Sequence, residues 1–202
     1  MNKNYFSIII LLSAIAVVLS ACAGSTEYMR ELNDSDVTYT PNANEAIVVF
    51  MRPSSDGWAI QATVFEVTTE ENELVGIVPA QKKLAHRTKP GRHLFMVTSE
   101  AADFMQAELE AGKIYYATVN PRIGFTVRFS LAAVPKEIEP TKLEQWKNGC
   151  KWVETTGKTY VWASEKAYSF QQLREAYIDK WESKPEHAKP MLRPEDGFNP
   201  QQ

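Results

Sequence analysis

The fold of this chain is indicated most directly by the stretch Leu109-Glu110-Ala111-Gly112-Lys113-Ile114-Tyr115-Tyr116-Ala117-Thr118-Val119. The turn-forming residues Ala111-Gly112-Lys113 come before a run rich in aromatic and β-branched residues, which is the composition of a strand inside a sheet. We expect the segments before this strand to pair with it and the segments after it to cover it. The stretch therefore predicts a β domain built around one central strand.

Short segments of strand-like composition lie on both sides of this stretch. Trp58 to Thr68 has apolar residues at alternate positions, the period of a half-buried strand, and Pro90-Gly91 is one of several turn signals between segments. The segments number about eight, at spacings of about 8–12 residues, with no long helix between them. The predicted fold class is therefore mainly β: an antiparallel β-sandwich of about 7–8 short strands with C-terminal α-helices packed on it.

Composition limits the classes of function that need to be considered. The chain has 202 residues, of which 44% are hydrophobic and 23% charged, enough for one domain with an appendage. Its formal net charge is −3, so the sequence offers no basic surface for a nucleic acid, and no nucleic-acid partner is predicted. The two cysteines, Cys22 and Cys150, are too few for a disulfide framework.

The N-terminus has the layout of a secretory signal, predicted over residues 1–21. Its apolar run, Phe6 to Leu19, has 14 residues. As a helix that is about 21 Å, against about 30 Å for a bilayer core. The run ends in Leu19-Ser20-Ala21-Cys22, which resembles the lipobox of bacterial lipoproteins. The alternative is a chance cysteine after an ordinary signal peptide.

The lipobox resemblance implies cleavage before Cys22, lipidation of its sulfur and acylation of the new amine. The membrane is then a partner through the lipid on Cys22, since three acyl chains exceed the roughly two signals that stable anchoring needs. Ala23 is not the Asp that favours inner-membrane retention in Gram-negative lipoproteins. The resemblance therefore implies the periplasmic side of the outer membrane.

Residues 45–135 carry the predicted sandwich and contain four motifs: Ala46-x-Val48-x-Phe50-x-Arg52-Pro53, Val75-Gly76, Pro90-Gly91-x-His93 and Leu109-x-x-Gly112-Lys113-x-Tyr115-Tyr116. These motifs resemble those of a family of small β-rich bacterial lipoprotein domains, PEGA-like sandwiches of unknown function. The resemblance covers about Ala46 to Val134 and implies the sandwich fold, but no catalytic residue.

The regions outside the sandwich have different predicted roles. Residues 22–44 are polar and aperiodic, which predicts a tether. Residues 136–182 predict a helical C-terminal cover, with helices over Lys142 to Asn148 and Ser164 to Trp181. Residues 183–202 contain four prolines and predict an extended or disordered tail.

Four of the five tryptophans lie in the last third of the chain: Trp146, Trp152, Trp162 and Trp181. One interpretation is that they pack helices onto an open face of the sandwich, which would otherwise be a large exposed apolar patch. The other is that they line a groove for a glycan or peptide, or a partner-docking surface.

Residues with the pattern of a catalytic or metal site are scarce. The sequence has no His-Glu-x-x-His, Gly-x-Ser-x-Gly or Cys-x-x-Cys motif. His86 and His93 lie on adjacent predicted strands, where Asp103 or Glu108 would complete a metal site, but no ligand spacing supports it. Cys150 is expected to be a buried small hydrophobe rather than a nucleophile.

The sequence thus predicts a lipid-anchored, non-catalytic structural or protein-interaction module in the periplasm, with a protein partner in the envelope and no cofactor or metal. The alternative is a ligand-binding module that uses the C-terminal tryptophans.

Overall fold

The computed structural model of the chain describes residues 27–37 and 39–200, so the predicted signal segment and Cys22 lie outside the described residues. The described part contains eleven β-strands and three α-helices. The prediction of a mainly β fold is therefore confirmed. The arrangement of the strands is different from the prediction, because they form two mixed sheets of six and five strands.

The larger sheet contains the predicted central stretch. Its strands are Met29–Glu31 (β1), Ala46–Arg52 (β2), Lys82–Thr88 (β5), Ile114–Ile123 (β8), Val127–Ala133 (β9) and Lys151–Thr155 (β10). Their spatial order is β1-β10-β5-β2-β8-β9, so the central stretch, β8, lies between β2 and β9.

The smaller sheet faces the larger one. Its strands are Thr63–Glu66 (β3), Glu73–Ile77 (β4), Gly91–Thr98 (β6), Ala102–Leu109 (β7) and Met191–Leu192 (β11), in the order β11-β7-β6-β3-β4. The strand predicted from Trp58 begins only at Thr63, because residues 56–60 form a turn. Carbonyl oxygens of this turn accept hydrogen bonds from Arg52.

Three strand pairs are parallel, which corrects the prediction of an antiparallel sandwich of about 7–8 strands. They are β2 with β8, β5 with β10, and β7 with β11. Parallel neighbours need a long crossover, and between β2 and β8 the chain makes it by passing through the second sheet. All seven residues of β2 are buried, as is typical of a strand covered on both faces.

The alternation of side chains along β2 divides the core into two layers. Val48 and Phe50 point between the sheets and join the main apolar cluster there. Val49 and Met51 point to the other face of the larger sheet and join a second cluster. A third cluster lies on the outer face of the smaller sheet. Both sheets are thus covered on their outer faces as well.

The three helices supply much of this cover. They are Pro140–Gly149 (α1), Gly157–Glu165 (α2) and Ala167–Glu182 (α3). Leu143 of α1 belongs to the cluster outside the larger sheet, and Phe170 and Trp181 of α3 belong to the one outside the smaller sheet. The helix predicted over Ser164 to Trp181 is interrupted at Lys166, which separates α2 from α3.

Both terminal regions contribute strands to the sheets. The segment predicted as a tether contains β1, whose residues pair antiparallel with β10. The segment predicted as a loose tail contains β11, where Leu192 is fully buried, and Phe198 forms an isolated bridge with Ile114. Prolines remain compatible with this path because the segment pairs over only two residues.

Candidate functional site

The fold brings two histidines from different sheets to one carboxylate. Glu66 ends β3, His86 lies on β5 and His93 lies on β6. The connection Lys89-Pro90 joins β5 of the larger sheet to β6 of the smaller one. The two imidazoles therefore meet at one edge of the core, and we call Glu66, His86 and His93 the carboxylate–histidine cluster.

The carboxylate–histidine cluster is compact and largely shielded from water. Nε2 of His86 lies 2.7 Å from Oε2 of Glu66, and Nδ1 of His93 lies 2.7 Å from Oε1. The side chains of Glu66, His86 and His93 are 11%, 12% and 8% exposed. The hydroxyls of Thr68 and Thr88 donate to the same carboxylate at 3.1 and 3.3 Å. Each carboxylate oxygen thus accepts two hydrogen bonds.

The hydrogen-bond partners fix the charge of the cluster. Nε2 of His93 lies 2.8 Å from the carbonyl oxygen of Lys89, so both ring nitrogens face acceptors and both must carry protons. Burial opposes the charge on His93, but the Glu66 carboxylate outweighs it and raises the pKa of the imidazole. Burial likewise opposes the charge on Glu66, yet hydrogen bonds from both histidines hold its pKa far below the ordinary value. The pair is a shielded carboxylate and imidazolium.

The residues considered from the sequence as metal ligands have other partners in the structure. His86 and His93 do come together, but Glu66 lies between them. Asp103 instead lies 3.3 Å from Nζ of Lys184, and Glu108 pairs along the sheet with Arg92. A zinc ion needs about 2.0 Å to each ligand atom, so separations of 2.7 Å leave no room for one between the imidazoles and Glu66. Among the described residues, no group of three or more His, Cys, Asp or Glu could hold a metal ion.

A cleft of about 720 Å³ borders the cluster at His93, a size within the usual range for small-ligand sites. Trp181 lines it and is itself 4% exposed. Nζ of Lys189 lies 5.2 Å from the Trp181 ring centroid and 2.7 Å from Glu186. The cleft is lined by Val67, Thr68, Arg92, His93, Leu94, Gln106, Ala107, Glu108, Trp181, Glu182, Glu186, Lys189 and Met191.

The four predicted ligand-binding tryptophans lie on two different faces of the molecule. Trp146 and Trp152 pack in the cluster outside the larger sheet, where lysine Nζ atoms approach their rings to 5.0 and 4.7 Å. Trp162 and Trp181 pack outside the smaller sheet. The structure therefore brings the tryptophans together in pairs, not in one concavity. Their role in binding a ligand stays a prediction.

A smaller cavity, of about 420 Å³, lies where α1 meets the two terminal segments. Tyr116, Leu143 and Phe198 give it an apolar floor, and Lys136 and Lys147 are at its rim. Burial raises the pKa of the Tyr116 hydroxyl well above its ordinary value, so the phenol stays neutral. Lys147 is already paired with Glu144 at 2.7 Å.

Cys150 and Arg52 are buried groups with contrasting surroundings. Cys150 is 2% exposed, and burial raises the pKa of its thiol, which keeps it in the unreactive form. Arg52 is fully buried, and burial lowers the pKa of its guanidinium to about 10. It donates to the carbonyl oxygens of Asp56, Gly57 and Ile60 at 2.9, 2.6 and 3.0 Å. Arg52 thereby holds the turn that carries Trp58.

Sequence reasoning singled out His86 and His93 but missed Glu66, the residue that joins them. Glu66 belongs to a strand of alternating character, and its register places it between two buried neighbours, Phe65 and Val67. An acidic residue inside such an apolar run was the available signal.

Comparison with known proteins adds no assignment: no protein family model and no curated protein matches the chain. Over the described ranges, no helix has both the length and the apolar character needed to cross a bilayer.

Proposed function

We propose that this protein is a lipid-anchored, non-catalytic interaction module on the periplasmic side of a bacterial outer membrane. The observation that carries the proposal is Leu19-Ser20-Ala21-Cys22, placed directly after a 14-residue apolar run. The lipobox resemblance implies lipidation of this cysteine, and acylation of Cys22 would hold the domain at the membrane. The residue after Cys22 is Ala23, which favours the outer membrane by analogy.

The contacts of the first described residues with α2 support a role close to the bilayer. The chain is hydrogen-bonded from Tyr28 onward, since its carbonyl oxygen accepts from the hydroxyls of Thr156 and Thr159. Glu27 also pairs with Lys158 at 3.2 Å. Only four residues separate Cys22 from Glu27. An acylated Cys22 would therefore hold the domain on a short connection.

An exposed apolar surface at the opposite end supports binding to another protein. Trp58, Ile123 and Phe125 are 61%, 71% and 111% exposed, and we call them the hairpin-tip surface. Ile123 and Phe125 lie at the tip of the β8–β9 hairpin, and Trp58 lies in the neighbouring turn, where Gly57 closely approaches Val127. Exposed apolar groups in such a cluster are typical of interaction sites.

The strand registers give the distance between this surface and Met29, the first residue of β1. Met29 pairs with Thr155 at one end of β10, whereas Lys151 at the other end lies beside Lys82 and Arg52. That is about 13 Å along the strand. Thr118 of β8 pairs with Met51, so Val119 is level with Arg52, and β8 continues four residues beyond Val119 to Ile123. The added length is about 13 Å, so the hairpin-tip surface lies far from the anchored end.

Two experiments test the proposal, one for each part. Mass spectrometry of the mature N-terminus should find acyl chains on Cys22, and the Cys22→Ser protein should leave the membrane fraction. A protein that fractionates with the membrane equally well without Cys22 would overturn the anchoring.

For the partner, a photo-reactive amino acid is placed at Ile123 in cells, with exposed Gln145 on α1 as the matched control position. We expect one adduct of defined mass at Ile123 that is lost when Trp58 is changed to Ser. An equal set of adducts at both positions, or none at Ile123, would overturn the interaction role.

A second candidate function, ligand binding, is favoured by the 720 Å³ cleft beside Trp181. A glycan or a peptide in this cleft would contact the backbone of Gln106 and Ala107 on β7. Titration of the protein with short glycan or peptide probes would then shift the amide resonances of these two residues and spare those of Trp152. Unchanged spectra at millimolar probe would remove this candidate.

A further inference from the structure

A second exposed aromatic surface lies on the two C-terminal helices. Tyr160 and Val161 of α2 and Tyr168 in the first turn of α3 are 56%, 59% and 74% exposed, and we call these three residues the α2 face. Tyr160 and Tyr168 border one groove of about 510 Å³, whose floor includes Phe65 and Leu74. Their hydroxyls bind Thr155 and Gln172, so the rings are held in place while remaining accessible.

Glu27 and Tyr28, the first described residues, contact α2, the helix that carries Tyr160 and Val161. Thr156 caps α2 through a capping box with Thr159, and both hydroxyls also donate to the carbonyl oxygen of Tyr28. The Tyr28 ring packs against Trp162 with a centroid distance of 5.4 Å. The chain therefore enters the domain beside the first turn of α2.

The length of chain before this point limits how far the α2 face can be from the anchor. Five Cα–Cα steps separate Cys22 from Glu27, which is at most about 18 Å of fully extended chain. Glu27 pairs with Lys158, and Tyr160 and Val161 follow within about 5 Å along the helix axis. Lipid on Cys22 would thus keep the α2 face close to the bilayer surface whatever path the connection takes.

We propose that the α2 face docks on the phospholipid surface, with Tyr160, Val161 and Tyr168 at the boundary between headgroups and acyl chains. The inference rests on the proposed function, because the acyl chains on Cys22 bring this face to the membrane. Tyrosine suits that boundary, since its ring is apolar and its hydroxyl is polar. The hairpin-tip surface then points away from the membrane, toward a partner.

The charged residues around the α2 face are of both signs, which indicates how this face would contact lipid. Lys158 and Lys166 lie beside it, but so do Glu27, Glu70 and Glu165. Such a surface gains little from anionic lipid. Docking is therefore driven by apolar and aromatic contact, and it should be insensitive to salt and to phosphatidylglycerol.

The test uses the full-length lipoprotein in vesicles of phosphatidylethanolamine, with and without phosphatidylglycerol. Val161→Cys carries an environment-sensitive fluorophore, and Phe125→Cys at the hairpin-tip surface carries the same label as the control. Cys150 is buried and does not compete for the label. Mass spectrometry of Cys22 is run on the same samples.

We expect a severalfold loss of iodide quenching at position 161 relative to position 125, equal in both vesicle types. Adding Tyr160→Asp and Tyr168→Asp should restore quenching at position 161, whereas Trp58→Asp should not. If Cys22 is acylated and position 161 stays as accessible as position 125, docking is overturned while the anchor stands. If Cys22 carries no lipid, the proposed function fails, and docking fails with it.

Discussion

Glu66 and His93 form an ion pair that is almost closed to solvent, with Nδ1 of His93 2.7 Å from the carboxylate. The two residues lie on neighbouring strands, β3 and β6, and the same carboxylate reaches His86 in the other sheet. One carboxylate therefore links three strands and both sheets at the edge of the core. The free energy of unfolding should therefore depend on pH through the protonation of Glu66 and His93.

Replacing His93 with Gln should destabilise the fold by about 2 kcal/mol in weakly acidic solution, the usual cost of losing a hydrogen bond to a charged group. The pKa of His93 is higher in the folded protein than its ordinary value of 6.5, so its ion pair stabilises the fold. This stabilisation is complete below pH 6.5 and is lost as pH rises through the folded pKa. The pKa of Glu66 is lower in the folded protein than its ordinary value of 4.5, which also stabilises the fold. This stabilisation is complete above pH 4.5 and is lost as pH falls through the folded pKa.

The cluster should thus be most stabilising between about pH 4.5 and 6.5. Urea unfolding across pH should show stability that declines above this window in the original protein and declines less in His93→Gln. His187→Gln, at an exposed histidine, is the matched control and should behave like the original protein. Parallel profiles for all three proteins would contradict the assignment.

Arg52→Met should cost about 3 kcal/mol, because the carbonyl oxygens of Asp56, Gly57 and Ile60 would lose their buried donor. The turn that carries Trp58 should loosen as well, which amide hydrogen exchange would report at Ile60. Arg128→Met, at an exposed position on β9, should leave both the unfolding midpoint and this exchange rate unchanged.

Gly76→Ala should be destabilising by about 1–3 kcal/mol, the range for overpacking a core. Gly76 has φ +150°, and an added Cβ would lie 2.6 Å from Cδ2 of Leu84 and 3.1 Å from Thr155. Gly149→Ala, in α1 with no atom within 4 Å, should be neutral or slightly stabilising. Thermal unfolding of the two variants checks the contrast, and equal melting temperatures would contradict it.

Thr159→Val should weaken the attachment of Tyr28 and β1 to α2. It removes half of the capping box of α2 and a hydrogen bond to Tyr28, at a cost of about 1 kcal/mol. Hydrogen exchange of the β1 amides should accelerate more than that of β2. Ser164→Ala, an exposed change on the same helix, is the control. Unchanged β1 protection would show that pairing with β10 alone holds β1 in place.

Several features of the molecule could be predicted from the sequence because they depend on local pattern. Alternating and β-branched segments identified β3 and β8, and the turn at Ala111-Gly112-Lys113 falls directly before β8. The helix predicted over Lys142 to Asn148 lies inside α1. Burial of Cys150 also follows from its residue type.

Other features depend on contacts between residues far apart in the chain, which a periodic pattern does not encode. Met29 lies in a sheet only because Thr155 is its partner, and Met191 only because Gln106 is. A segment with few apolar residues gives no strand signal of its own when its pairing energy comes from a distant edge. The predicted tether and tail therefore contain strands that the sequence did not indicate.

The sequence by itself determined the β-rich class, the positions of β3 and β8 and the resemblance of Leu19-Ser20-Ala21-Cys22 to a lipobox, since each depends on neighbouring residues. Only the tertiary structure decided that β2 and β8 run parallel and that Glu66 joins His86 to His93. It also decided that Glu27 and Tyr28, the first described residues, lie beside α2 and far from the hairpin-tip surface. The physical reason is that strand partners and buried charge pairs are selected by the packing of the whole core, not by local propensity.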